Sequence, residues 1–230
     1  MLPSSTVIFL NGPSSSGKSS IARALQRLLA EPYLHVGVDY FLAPLPSRYF
    51  GHDPAPGTPA AEGVQWLSRT DEHGQLFEIA VGPLARRVHA AGRAAAAGWA
   101  RSGLNLILDE VLLDDEIFRG YLCEFAGLDV LFVGVHCSLL ALEARERVRL
   151  DRAQGQARGH HELVHANKEY DVEVDSSDTS AEDCARAILA RLHAGLPYGA
   201  FVRLRTALLP EAAPAGSAWL APKPGRRCGR

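Results

Sequence analysis

TVIFLNGPSSSGKSS, residues 6–20, runs from an apolar stretch through a glycine- and serine-rich loop to a lysine followed by serines. Residues 6–10 have the β-branched and aromatic character of a buried strand, and residues 18–30 have helical periodicity, with Ile21, Leu25, Leu28 and Leu29 on one face. The segment between them, Gly12-Pro13-Ser14-Ser15-Ser16-Gly17-Lys18-Ser19, fits G-x-x-x-x-G-K-[ST] at every fixed position. Glycines let a backbone curl until successive N–H groups point inward, and the following helix N-terminus adds its own donors to the same concavity. A lysine there reaches the outer phosphates of a nucleoside triphosphate, and the serine after it can ligate Mg2+. Gly12, Pro13, Ser14, Ser15, Ser16, Gly17, Lys18, Ser19 and Ser20 are therefore predicted to hold ATP, with Ser19 on the metal.

Outward from this loop, strand-like and helix-like stretches alternate. Residues 34–38 read as a second strand ending at Asp39, 104–108 as a third ending at Asp109-Glu110, 128–136 as a fourth, and 171–175 as a fifth with an edge-like alternation. Helices are expected over 83–102, 114–126, 138–152 and 180–194, and a hairpin from 64–69 and 75–81 around TDEHG. Residues 40–62 are rich in Pro and Gly and read as a long irregular loop. The expected fold is α/β, a P-loop kinase-type three-layer α/β/α arrangement with a five-stranded parallel sheet and a helical lid. Residues 1–196 are assigned to that domain, with the lid at about 145–165. Residues 197–230 form a Pro-rich C-terminal extension expected to be loosely ordered.

Composition narrows the function. The 230 residues carry a formal charge of −2 and only 7% aromatics, a poor match to a nucleic-acid binder, and 47% hydrophobic residues suffice for a core. No apolar run approaches a membrane span and the N-terminus lacks a signal-peptide pattern, so a cytoplasmic chain is expected. The four cysteines form neither a CxxC pair nor a zinc-type cluster with histidine, and read as reduced thiols.

In a parallel sheet, ligands sit beyond the carboxyl ends of the strands, which is where Asn11-Gly12, Asp39 and Asp109-Glu110 fall. Asp109 has the pattern of the acidic group that helps hold Mg2+; such an acidic pair also serves as a helix cap or turn. Asp39 can accept a proton from an attacking hydroxyl, or be a turn aspartate. Arg145, Arg149 and Arg152, spaced i, i+4, i+7, can fold over a triphosphate as catalytic lid residues beside Lys18. Interleaved with Glu143, Glu146 and Asp151, they can equally form a surface ion-pair face.

Taken together, VIFLNGPSSSGKSSI, GVDYF, LILDEV, LDVLFVGVHC, ARERVRLDR and HANKEYDVEVDSS resemble the chloramphenicol phosphotransferase-like family of P-loop kinases over about residues 6–192. The resemblance implies ATP-dependent phosphorylation of a small-molecule hydroxyl, with a chloramphenicol-like antibiotic as the first acceptor to consider. It implies that Asp39 is the general base and supports the three lid arginines; His165 and Tyr170 match family positions. Residues 40–80 depart from the family's pattern, which leaves room for another small molecule, a nucleotide-sugar, a nucleoside or an RNA end as acceptor. A non-enzymatic ATP-binding switch is the reading from a different class.

Overall fold

The computed structural model describes residues 5–71, 74–148, 155–161 and 163–209. Within them the chain runs β1 (Thr6–Asn11), α1 (Lys18–Leu28), β2 (Tyr33–Gly37), α2 (Val38–Leu42), β3 (Phe50–His52), α3 (Pro59–Glu62), β4 (Val64–Asp71), β5 (Gly74–Val81), α4 (Pro83–Arg101) and β6 (Asn105–Glu110). It continues through α5 (Asp115–Glu124), β7 (Asp129–His136), α6 (Leu139–Arg147), α7 (Gln156–His161), β8 (Val172–Asp175), α8 (Ala181–His193) and α9 (Ala200–Leu208). Five parallel strands form the main sheet in the order β2-β6-β1-β7-β8. The central strand β1 is flanked by β6 and β7, so the loop leaving Asn11 emerges between the ends of both.

Alternation along β1 explains the three layers. Phe9 joins Phe118, Tyr121, Phe125 and Phe132 in the core under α4 and α5, whereas Ile8 and Leu10 join Ile21, Leu25 and Ile188 under α1 and α8. Ala96, Ala97 and Ala100 are buried on α4, and their small side chains let that long helix lie close to the sheet. Serine or aspartate caps start α5, α6 and α8: Asp114 accepts from the Glu116 and Ile117 amides, Ser138 from Ala141, and Ser180 from Asp183.

Three features differ from the sequence-based expectation. Strand β2 stops at Gly37, so Asp39 lies in the first turn of α2 rather than closing the strand. The Pro/Gly-rich stretch contributes a strand: β3 pairs in parallel with β4, and β4 with β5 of the expected hairpin, giving a second, three-stranded sheet. The segment after 197 is not loose throughout. Helix α9 buries Ala200, Phe201 and Leu204 on the Phe9 side of the sheet, and Asp171 Oδ1 accepts the Gly199 and Ala200 amides at 2.8 and 3.0 Å to fix its start. Residues 210–230 lie outside the described part. Among the described residues, no helix is long and apolar enough to cross a membrane.

Candidate active site

The loop after β1 has the shape its composition predicts. Gly12 must be glycine, because a Cβ there would lie 2.4 Å from the Val135 carbonyl oxygen. Gly17 takes φ 85° at the start of α1, and Ser15 also has positive φ, so the backbone turns inward between them. Lys18 Nζ donates to the carbonyls of Gly12 and Pro13 at 3.0 and 2.9 Å, bracing the concave face with its charge. The hydroxyls of Ser14, Ser15 and Ser16 are buried with no hydrogen-bond partner among the described residues. Buried hydroxyls left unpaired are costly, and an anion's oxygens would satisfy them. The loop therefore fits a phosphate group.

Beside it, Ser19 Oγ donates to Asp109 Oδ2 at 2.6 Å, and Lys18 Nζ lies 3.8 Å from Asp109 Oδ1. His35 Nε2, from the neighbouring strand β2, lies 3.4 Å from Oδ2. Burial alone would raise the Asp109 carboxyl; the His35 hydrogen bond, the Lys18 charge and the Ser19 hydroxyl outweigh it and hold the group below the ordinary aspartate value. A hydroxyl and an ionised carboxylate are the hard oxygen donors that Mg2+ takes alongside phosphate, so Ser19 and Asp109 fit that ion. Glu110, next in the strand, faces the other way. It is buried in the core, where it accepts from the Tyr121 hydroxyl at 2.5 Å and lies 3.5 Å from His89. Strand alternation separates the two carboxylates and leaves Asp109 alone at the loop.

A cavity of about 590 Å3 adjoins this cluster, and Ser14, Gly17, Lys18, Ser19, Asp39 and Asp109 all line it. Another wall comes from α2, from β3 and the hairpin expected at 64–69 and 75–81, and from α7. Leu42 on α2, Phe50 on β3, Val64 and Trp66 on β4, and Ile79 on β5 supply an apolar surface, and Gln156 and His160 arrive on α7. The second sheet thus serves as one side of the site.

Arg145 occupies a different position. It lines a second cavity of about 450 Å3 on the other side of the loop, with Ser15, Ser16, Gly17, Ser20, Ser176 and Thr179. Its guanidinium donates to the Ser176 and Ser177 carbonyls and lies 3.3 Å from Cys137 Sγ. Arg149 and Arg152 lie outside the described residues. His165 and Tyr170 brace the loop's base. The Tyr170 hydroxyl accepts from Asn11 Nδ2 at 2.8 Å and contacts His165 Nδ1 at 2.8 Å, while Asn11 Oδ1 accepts from the Leu112 amide. Burial and the adjacent His136, Lys168 and His161 push His165 down to about 4.

The chain matches the family described as chloramphenicol phosphotransferase-like protein over residues 5–193. It belongs to that family. A Mycobacterium tuberculosis (strain H37Rv) protein named as a candidate O-phosphotransferase is 37% identical over 219 residues, covering 90% of this chain and 91% of its own. Two solved structures share the fold. The M. tuberculosis APS kinase, in complex with AMPPNP and APS, superposes with a TM-score of 0.55 at 17% identity, covering 83% of this chain and 99% of that one. A gluconokinase from Sinorhizobium meliloti superposes with a TM-score of 0.51 at 19% identity, covering 92% and 99%. The protein is a phosphotransferase of the P-loop kinase fold.

Proposed function

We propose that this enzyme transfers the γ-phosphate of ATP to a hydroxyl group of an uncharged small molecule, with a chloramphenicol-like compound as the first acceptor to test. The observation that carries the reading is the shared cavity: the phosphate loop, Lys18, Ser19, Asp109 and Asp39 line it together with an apolar wall and the polar side chains of α7. In this reading the loop from Gly12 to Ser20 binds the triphosphate and the Arg145 cavity receives the remainder of the nucleotide. Ser19 and Asp109 hold Mg2+, which neutralises phosphate charge when bound. Lys18 follows the negative charge as it moves onto the transferred group. Asp39 takes the hydroxyl proton as the acceptor oxygen attacks phosphorus, and ADP leaves. Arg149 and Arg152 complete the lid, so that the lid segment at about 145–165 excludes water from the transfer. A reaction that draws on ATP fits a cytoplasmic enzyme.

Phosphorus NMR of the protein with Mg-ATP, with and without chloramphenicol, tests this. A new phosphomonoester signal that disappears in Asp39→Asn supports both reaction and base. Normal transfer by a folded Asp39→Asn protein rejects Asp39 as the base. ATP binding without a product from chloramphenicol rejects that acceptor, and other neutral alcohols follow.

A further inference from the structure

Gln156 is a buried amide that the phosphoryl-transfer reading does not use. It is 2% exposed, yet it lines the main cavity. Its Oε1 accepts from the Trp66 indole Nε1 at 3.3 Å. An indole N–H can only donate, so the atom facing it must be the amide oxygen. That contact settles which way the amide points and turns Nε2, with its two protons, elsewhere. Nε2 makes no hydrogen bond to any described residue. An N–H2 that opens on a cavity and has no acceptor among the described residues is free to donate to a ligand or to water there.

The surroundings limit what that ligand group can be. Leu42, Phe50, Val64, Trp66 and Ile79 make the neighbouring wall apolar. An N–H2 beside such a wall suits an uncharged oxygen acceptor, a carbonyl or ether, while the cavity's cations Lys18 and Arg23 stand on α1 behind the phosphate loop. The amide is also held from behind. Glu146 accepts the Gly155 and Ala157 amides at 2.6 and 2.9 Å, the Phe77 amide donates to the Gly155 carbonyl, and Ala157 packs with Cys137 and Leu142. Helix α7 is thereby fastened to both α6 and the β5 edge of the hairpin.

We infer that Gln156 is a specificity-determining residue that donates from Nε2 to an uncharged oxygen of the acceptor, and that Trp66 is its positioning residue. The inference rests on the proposed use of this cavity for the acceptor.

The test uses the full chain saturated with Mg-AMPPNP and measures dissociation constants by ligand-observed NMR for benzyl alcohol and its ortho-, meta- and para-acetyl derivatives. At least one acetyl isomer is expected to bind the wild type roughly tenfold or more tighter than benzyl alcohol. In Gln156→Met and Gln156→Glu that advantage should vanish while benzyl alcohol itself and AMPPNP still bind. Trp66→Phe, which keeps an aromatic ring and removes the N–H, should reduce the advantage without abolishing it. A merely structural Gln156 would weaken all four alcohols alike, because selectivity is a ratio within one variant. Equal binding of all four alcohols to the wild type, or an acetyl advantage that survives Gln156→Met, overturns the role of Gln156 alone. AMPPNP binding with no alcohol bound at all overturns the acceptor assignment of the cavity as well.

Discussion

At Asp109 and Glu110, two consecutive carboxylates have opposite fates because a strand sends neighbouring side chains to opposite faces. Asp109 meets Ser19, Lys18 and His35; Glu110 meets Tyr121 and His89 in the core. Ser19→Ala removes the hydroxyl from the pair, and the magnesium enhancement of AMPPNP affinity is expected to fall roughly tenfold. Calorimetric titrations with and without EDTA measure this, and the EDTA affinity should barely change. His165 makes a second prediction. Its folded-state pKa of about 4 lies below the ordinary histidine value of about 6.5, so the neutral ring is favoured in the fold. Between pH 6.5 and 4 the unfolded chain takes up a proton that the folded chain does not, and stability falls as pH falls through that window. Denaturant titrations at pH 7.5 and 5 should show a smaller loss for His165→Gln than for the wild type.

At the scale of elements, caps and pairings determine where side chains arrive. The sheet strands, the P-loop and the long helices were readable from apolar runs, helical periodicity and the fixed spacing of the loop. Asp114 shows such a cap in detail: it accepts from two amides of α5 and pairs with Arg86 of α4. Burial alone would raise this carboxyl, but the Arg86 hydrogen bond and the α5 amides hold it below its ordinary value. Its stabilisation is therefore present above about pH 4 and is lost as pH falls through the lowered folded-state pKa. Asp114→Ala should cost about 1 kcal/mol at pH 7 by denaturant unfolding, and the gap to wild type should narrow below pH 4. The boundary at Asp39 was less legible, since LHVGV reads as a strand running up to Asp39 until its tertiary setting shows α2 beginning at Val38. Residues 50–52 gave no sign of pairing, because a three-residue strand carries no periodicity and β3 depends on β4 for its hydrogen bonds.

Across the whole molecule, the last helix of the described residues closes the core. Phe201 of α9 packs on Phe9, Phe118 and Phe132 with ring centroids 5.5, 6.3 and 5.2 Å away. Phe201→Ala should destabilise the protein by about 3–5 kcal/mol in denaturant unfolding. A loss under about 1 kcal/mol would mean that α9 contributes little to the core. The site is likewise assembled from distant segments: the loop after β1, the first turn of α2, the end of β6, the second sheet and α7 all meet at one cavity.

By itself the sequence determined the parallel α/β order, the phosphate loop and the family, because each is written in local features: an apolar run, a glycine at a close approach, a lysine and serine at fixed spacing. It also named Asp39 and Asp109, since strand ends converge in any such sheet. Only the tertiary structure decided that Glu110 turns into the core, that α9 is part of the packed domain, and that Trp66 and Gln156, 90 residues apart, share a hydrogen bond beside the cavity. Those outcomes depend on long-range packing and on which face a neighbour covers, and neither leaves a periodic trace in the residues that take part.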